Sequence, residues 1–100
     1  SHELSSVGFW PGGAALASPA FYSYMAPEPI GFRDARVEPG AAHYHAGLGE
    51  FILLYDDVRK APSPARALLE FCQSTFEAGA TLGKWDRASL EREAALDRSA

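Results

Sequence analysis

Ser63-Pro64-Ala65-Arg66-Ala67-Leu68-Leu69-Glu70-Phe71-Cys72-Gln73-Ser74-Thr75-Phe76-Glu77-Ala78-Gly79-Ala80-Thr81-Leu82-Gly83 reads as one amphipathic helix. Ser63 suits the N-cap, where its side chain accepts an orphan backbone N–H, and Pro64 suits the first helical position, where a missing N–H costs nothing. Leu68, Phe71, Cys72, Thr75 and Phe76 recur at three- and four-residue spacing, and Gly79 continues the stripe. Arg66, Glu70, Gln73, Ser74 and Glu77 fall on the other side. One apolar stripe backed by one wet face requires a surface to pack on. The spacing predicts a helix over 64–82 with Leu68, Phe71, Cys72 and Phe76 facing a sheet, stopped by Gly83. A helix-interior glycine costs about 1 kcal/mol against alanine, so Gly79 weakens the last turn, while its missing side chain would allow a close approach to that sheet.

Beyond Gly83 a second, short surface helix is expected. Asp86 would cap it, with Trp85 and Leu90 at hydrophobic-staple spacing, and Leu90 and Leu96 as its few large apolar residues. Working back towards the N-terminus, the composition changes. Residues 1–61 hold seven of nine Gly, five of seven Pro and all three His, the makeup of strands and turns. Strands are predicted over 2–9, 20–26, 41–45 and 50–54, with a loop from Pro27 to Gly40 and a helical turn from Asp56 to Lys60 capped by Asp56. The fold class is therefore α+β: three to four mostly antiparallel strands, then a long amphipathic helix packed on the sheet and a short C-terminal surface helix.

One hundred residues make one domain at most. The net charge is -4 and the densest basic stretch is Arg59-Lys60, which argues against nucleic acid as a partner. The longest apolar run, Phe51 to Tyr55, is far too short to span a membrane. A single cysteine, Cys72, excludes an internal disulfide and fits a reducing compartment, so the cytoplasm is the expected location. Cys72 lies in the helix stripe, where burial would leave its thiol inert.

Six of the twelve aromatic residues lie between positions 9 and 32: Phe9, Trp10, Phe21, Tyr22, Tyr24 and Phe32. They mark either a core or the wall of a pocket. On a strand Tyr22 and Tyr24 share one face, while Phe21, Ser23 and Met25 share the other. Apolar groups on both faces suggest a central strand covered on both sides. Two aligned tyrosine hydroxyls near Glu28 would suit a polar ligand. His2-Glu3 is an acid–base pair by type, although neighbours on a strand point to opposite faces. The competing reading makes each a hydrogen-bonded structural residue.

His43-Tyr44-His45 places two imidazoles on one face of a strand, enough to raise a metal site with Glu38 or Glu50. Two ligands do not complete a site, and a solvated edge strand explains them as well, so no metal and no cofactor is expected. Gly12-Gly13 offers a backbone nest for an anion, but nothing at phosphate-loop spacing follows, and a tight turn after Trp10-Pro11 accounts for it.

Several blocks together resemble the last third of an uncharacterised bacterial family, a domain of unknown function. They are Ser1-His2-Glu3, Ser5-Ser6 and Gly8-Phe9-Trp10-Pro11-Gly12; Phe21-Tyr22-Ser23-Tyr24, Pro27-Glu28-Pro29 and Gly31-Phe32; Leu48-Gly49-Glu50-Phe51, Tyr55-Asp56 and Val58-Arg59; and Gln73-Ser74-Thr75, Glu77-Ala78 and Trp85-Asp86-Arg87. Leu54 stands where the family pattern has Pro, and His43 where an aromatic is commoner. The resemblance carries no activity. It implies that residues 1–100 form a single segment, the C-terminal part of a larger domain, with 1–61 as strands and loops and 62–100 helical. A preceding segment of the same protein, or a second copy, would then be a partner.

Two functional expectations follow. The first is a small-molecule-binding or catalytic domain whose pocket is walled by Trp10, Tyr22 and Tyr24. His2 and Glu3 would be its catalytic candidates and Glu28 a polar binding group. The second is a structural segment that completes a larger protein or an oligomer, with the aromatics as core.

Overall fold

The computed structural model describes residues 4–99; of α2, the C-terminal helix, the side chains of 86, 87, 89, 93, 94 and 96–99 are outside that description. Four strands, β1 (Leu4–Trp10), β2 (Ala20–Ala26), β3 (His43–His45) and β4 (Glu50–Leu54), form one antiparallel sheet in the order β1-β2-β4-β3. Two helices follow, α1 (Tyr55–Lys60) and α2 (Pro64–Ser99). The architecture is α+β, with α2 packed on the sheet.

The register sorts every strand residue by face. Val7, Ser23, Phe51 and Tyr44 form one row across the sheet, and Phe9, Phe21 and Leu53 form the next. These rows meet the helices. Phe51, Leu53, Val58 and Phe71 share the buried core with Phe32 and Val37, two residues from the segment between β2 and β3. That segment, expected as loop, contains a 3₁₀ turn at Phe32–Asp34. Phe32 is fully buried there, packed edge-on against Phe51 at 5.0 Å between centroids. Gly31 opens the turn with φ 88°, a conformation in which a Cβ would be strained.

The helix packs as its stripe requires, with one displacement. Ser63 Oγ accepts the Arg66 N–H at 3.4 Å, and Pro64 opens α2. Ala67, Phe71, Thr75 and Gly79 point to the sheet. At Gly79 a Cβ would stand 2.5 Å from Met25 Cγ, so the missing side chain admits Met25. Phe76, expected against the sheet, is instead 57% exposed. It lies about 100° around the helix from Thr75, on the side away from Ser74 and Ala78. Among the described residues the sheet ends at β1, and none of its strands covers this side chain. Ser74, assigned to the wet side, is half-buried and accepts the Glu38 N–H at 2.9 Å.

The break expected at Gly83 does not occur. α2 continues through it, and Asp86 starts no second helix. No proline follows, and the Ala, Leu, Glu and Arg residues beyond are strong helix formers that offset one glycine. At 36 residues α2 is about 54 Å long and overruns a sheet whose longest strands have seven residues. Asp56 is not a cap either: Leu54 holds the N-cap position of α1, and Asp56 pairs with Arg59 at 2.9 Å. No helix among the described residues is long and apolar enough to cross a membrane.

Candidate functional site: the uncovered sheet face

All the packing above lies on one side of the sheet. β2 is internal, as its two apolar faces suggested, but the described helices cover only its Phe21-Ser23-Met25 face. The opposite face is built from three rows. Trp10 pairs with Ala20, and Ala20 with Leu54. Gly8, Tyr22, Ile52 and His43 form a continuous second row. Ser6 pairs with Tyr24, and across the sheet Glu50 pairs with His45. Trp10, Tyr22 and Tyr24, three of the residues expected to wall a pocket, are therefore brought together here.

Their geometry is specific. The Tyr22 and Tyr24 rings stack with centroids 6.2 Å apart and planes 22° from parallel. Tyr22 reclines over Gly8, where a Cβ would collide with its hydroxyl and ring, so only glycine lets the ring lie down on β1. Trp10 Nε1 donates to the Leu16 carbonyl at 2.8 Å, and its ring lies over Gly13, where a Cβ would meet it at 2.8 Å. Gly13 N–H donates to the same carbonyl at 2.9 Å, so Gly12-Gly13 is a tight turn that orients the indole. Trp10, Tyr22 and Tyr24 are each half-buried, and neither tyrosine hydroxyl has a hydrogen-bond partner among the described residues. Ile52, between Tyr22 and His43, is fully buried.

The polar side of this face was not the one expected. Glu28 accepts hydrogen bonds from the Tyr44 hydroxyl and from Arg33 Nη2, the latter at 3.0 Å. Tyr44 packs on Phe51 at 5.3 Å, on the helix side of the sheet, and Arg33 sits 5.2 Å above the Tyr44 ring. Burial, and then the bond to Glu28, push the Tyr44 hydroxyl pKa up. The tyrosine beside Glu28 is thus Tyr44, not Tyr22 or Tyr24, and Glu28 is committed to this cluster.

His43, His45 and Glu50 take its place on the uncovered face. His45 Nδ1 accepts the Leu48 N–H at 3.2 Å, which leaves the proton of the neutral ring on Nε2. Burial raises the Glu50 carboxyl pKa, with His45 acting the other way. The alternation of His43 and His45 on one strand was visible in the sequence. Their alignment with Tyr22 and Tyr24 depends on β4 pairing with both β2 and β3, which strand parity alone does not give. Among the described residues no cluster of three metal-binding side chains occurs. His2 and Glu3 lie outside the described residues.

The concavities found among the described residues lie elsewhere. A 430 Å³ groove between α2 and the 3₁₀ turn is lined by Arg36, Ser74, Glu77, Thr81 and Leu82 among others, and is shallow. A 380 Å³ hollow lies along α2 beside Trp85. Cys72 is half-buried, and burial raises its thiol pKa, so it is not an activated nucleophile.

Comparison with known proteins agrees with the resemblance to an uncharacterised domain family. Residues 1–92 match the model of DUF5996, a family of unknown function, and the chain belongs to that family. No curated protein and no solved structure matches it.

Proposed function

We propose that this domain binds a small molecule on the Trp10–Tyr22–Tyr24 face. The observation that supports it is the stacked tyrosine pair on a sheet face that no described helix covers, with neither hydroxyl bonded to another described residue. Stacked rings offer a flat apolar surface, and free phenolic hydroxyls offer hydrogen bonds at its rim. The ligand chemistry that fits is a planar or ring-bearing molecule, uncharged on the face it presents to the aromatics, with polar groups towards His43, His45 and Glu50. The strand residues of this face include no Lys or Arg, which disfavours a polyphosphate chain.

A fragment screen followed by amide and indole NMR shifts on labelled protein tests it. Hits should perturb the Trp10 indole and the backbone of β2, and Tyr22→Ala with Tyr24→Ala should abolish them. Hits confined to the groove lined by Arg36 and Glu77, or none perturbing β2, would overturn it.

A further inference from the structure

Glu50 is the acidic group of the candidate face, and it has no answering cation. It opens β4 and is half-buried. β2 and β4 pair as far as Ser23 with Phe51, so one step further along the same register Glu50 lies beside Tyr24, while on the other flank it pairs with His45. No described residue hydrogen-bonds to its carboxylate or forms an ion pair with it. Burial raises the carboxyl pKa, and His45 offsets this only in part. A full charge on the His45 ring would cost the bond that its Nδ1 accepts from the Leu48 N–H at 3.2 Å. The strand residues of this face include no Lys or Arg. Arg33 is engaged elsewhere, paired with Glu28 at 3.0 Å and seated over the Tyr44 ring on the helix side.

Given the binding proposed for this face, we infer that its ligand is an organic cation, a ring-bearing amine whose ring lies on Tyr22 and Tyr24 and whose protonated nitrogen reaches Glu50. The faces of tyrosine and tryptophan rings are negative, so they attract a cation and repel an anion. An ammonium N–H aimed at a carboxylate makes a charge-assisted bond, stronger than a neutral one. The net charge of -4 favours the approach of the same ligands. An uncharged ring would take water from Glu50 and give it no partner, and a carboxylate or phosphate would oppose it. A metal ion does not suit the face, because no three metal-binding side chains cluster among the described residues.

Three probes that share an indole ring and differ in charge test this: tryptamine, tryptophol and indole-3-acetate. Each is titrated near neutral pH into labelled protein and followed on the β2 backbone and Trp10 indole signals. Tryptamine should bind about tenfold more tightly than tryptophol, and indole-3-acetate more weakly than either. Glu50→Gln should bring the affinities for tryptamine and tryptophol together. Should that variant fail to fold, the order of the three probes on the unaltered chain decides. Equal binding of tryptamine and tryptophol at β2 overturns the cation and leaves the binding proposal standing. A tryptamine preference that survives Glu50→Gln does the same, since Glu50 is then not its partner. If none of the three perturbs β2, the inference falls, and the fragment screen judges the binding proposal separately.

Discussion

Ser23 on β2 and Thr75 on α2 are joined by a fully buried hydrogen bond, the Ser23 hydroxyl donating to Thr75 Oγ1 at 2.7 Å. The Thr75 hydroxyl in turn donates to the Phe71 carbonyl at 2.8 Å. This relay fixes the helix over the middle of the sheet, because a buried hydroxyl pair is satisfied in one register only. Thr75→Val removes the acceptor and strands the Ser23 donor, and should cost about 1–3 kcal/mol. Ser23→Ala leaves Thr75 still bonded to Phe71 and should cost about 1 kcal/mol. The double variant should cost less than the sum, with a coupling of about 0.5–3 kcal/mol in urea titrations. Strict additivity would show that the pair does not act as a unit.

Phe71 and Phe76 are both aromatic positions of the helix, but only Phe71 is inside. Phe71→Ala should cost about 3–5 kcal/mol by opening a cavity beneath Phe51. Phe76→Ala should cost about 1 kcal/mol or less when measured under monomeric conditions. Equal losses in chemical denaturation would contradict the observed helix rotation.

Gly8 holds Tyr22 flat, so Gly8→Ala acts on the candidate site without altering an aromatic residue. The new methyl group collides with a rigid ring rather than a flexible chain end. The Tyr22 ring must swing out, at a cost of about 1–3 kcal/mol. Loss of the contact between the Tyr22 and Tyr24 rings should appear as a changed near-ultraviolet circular dichroism signal, while the far-ultraviolet signal is kept. An unchanged aromatic signal would mean that Gly8 does not set the ring.

Much of this was legible in the chain. The strand limits near 20–26 and 50–54, the helix start at Ser63-Pro64 and the close approach at Gly79 follow from local rules of alternation, capping and size. Phe32 was not legible as core, since it sits in a segment punctuated by Pro27, Pro29 and Gly31, and only the tertiary fold drives that turn under Phe51. Nor was the continuity of α2, because a single glycine stops a helix only when its neighbours do not outweigh it. For the candidate site, parity put Tyr22 beside Tyr24. Which polar groups join them depended on the order β1-β2-β4-β3, a long-range fact. That order brings in His43, His45 and Glu50 and leaves Glu28 with Tyr44 and Arg33.

Glu50 supplies the pH signature of this face. Burial raises its carboxyl above the ordinary 4.5, outweighing the attraction of His45. A carboxyl raised on folding favours the folded state in its protonated form. That contribution is complete below the unfolded-state value and is lost as pH rises through the folded-state value. Near neutral pH the ionised, partly buried Glu50 is therefore a burden on the fold. Glu50→Gln should raise the melting temperature near neutral pH, and its advantage should vanish below about pH 4, where Glu50 is protonated in both states. Thermal melts of both proteins across that range read the difference directly. A constant advantage at all pH values would assign the gain to packing rather than to charge. A loss of stability at neutral pH would show that the pairing with His45 outweighs the burial.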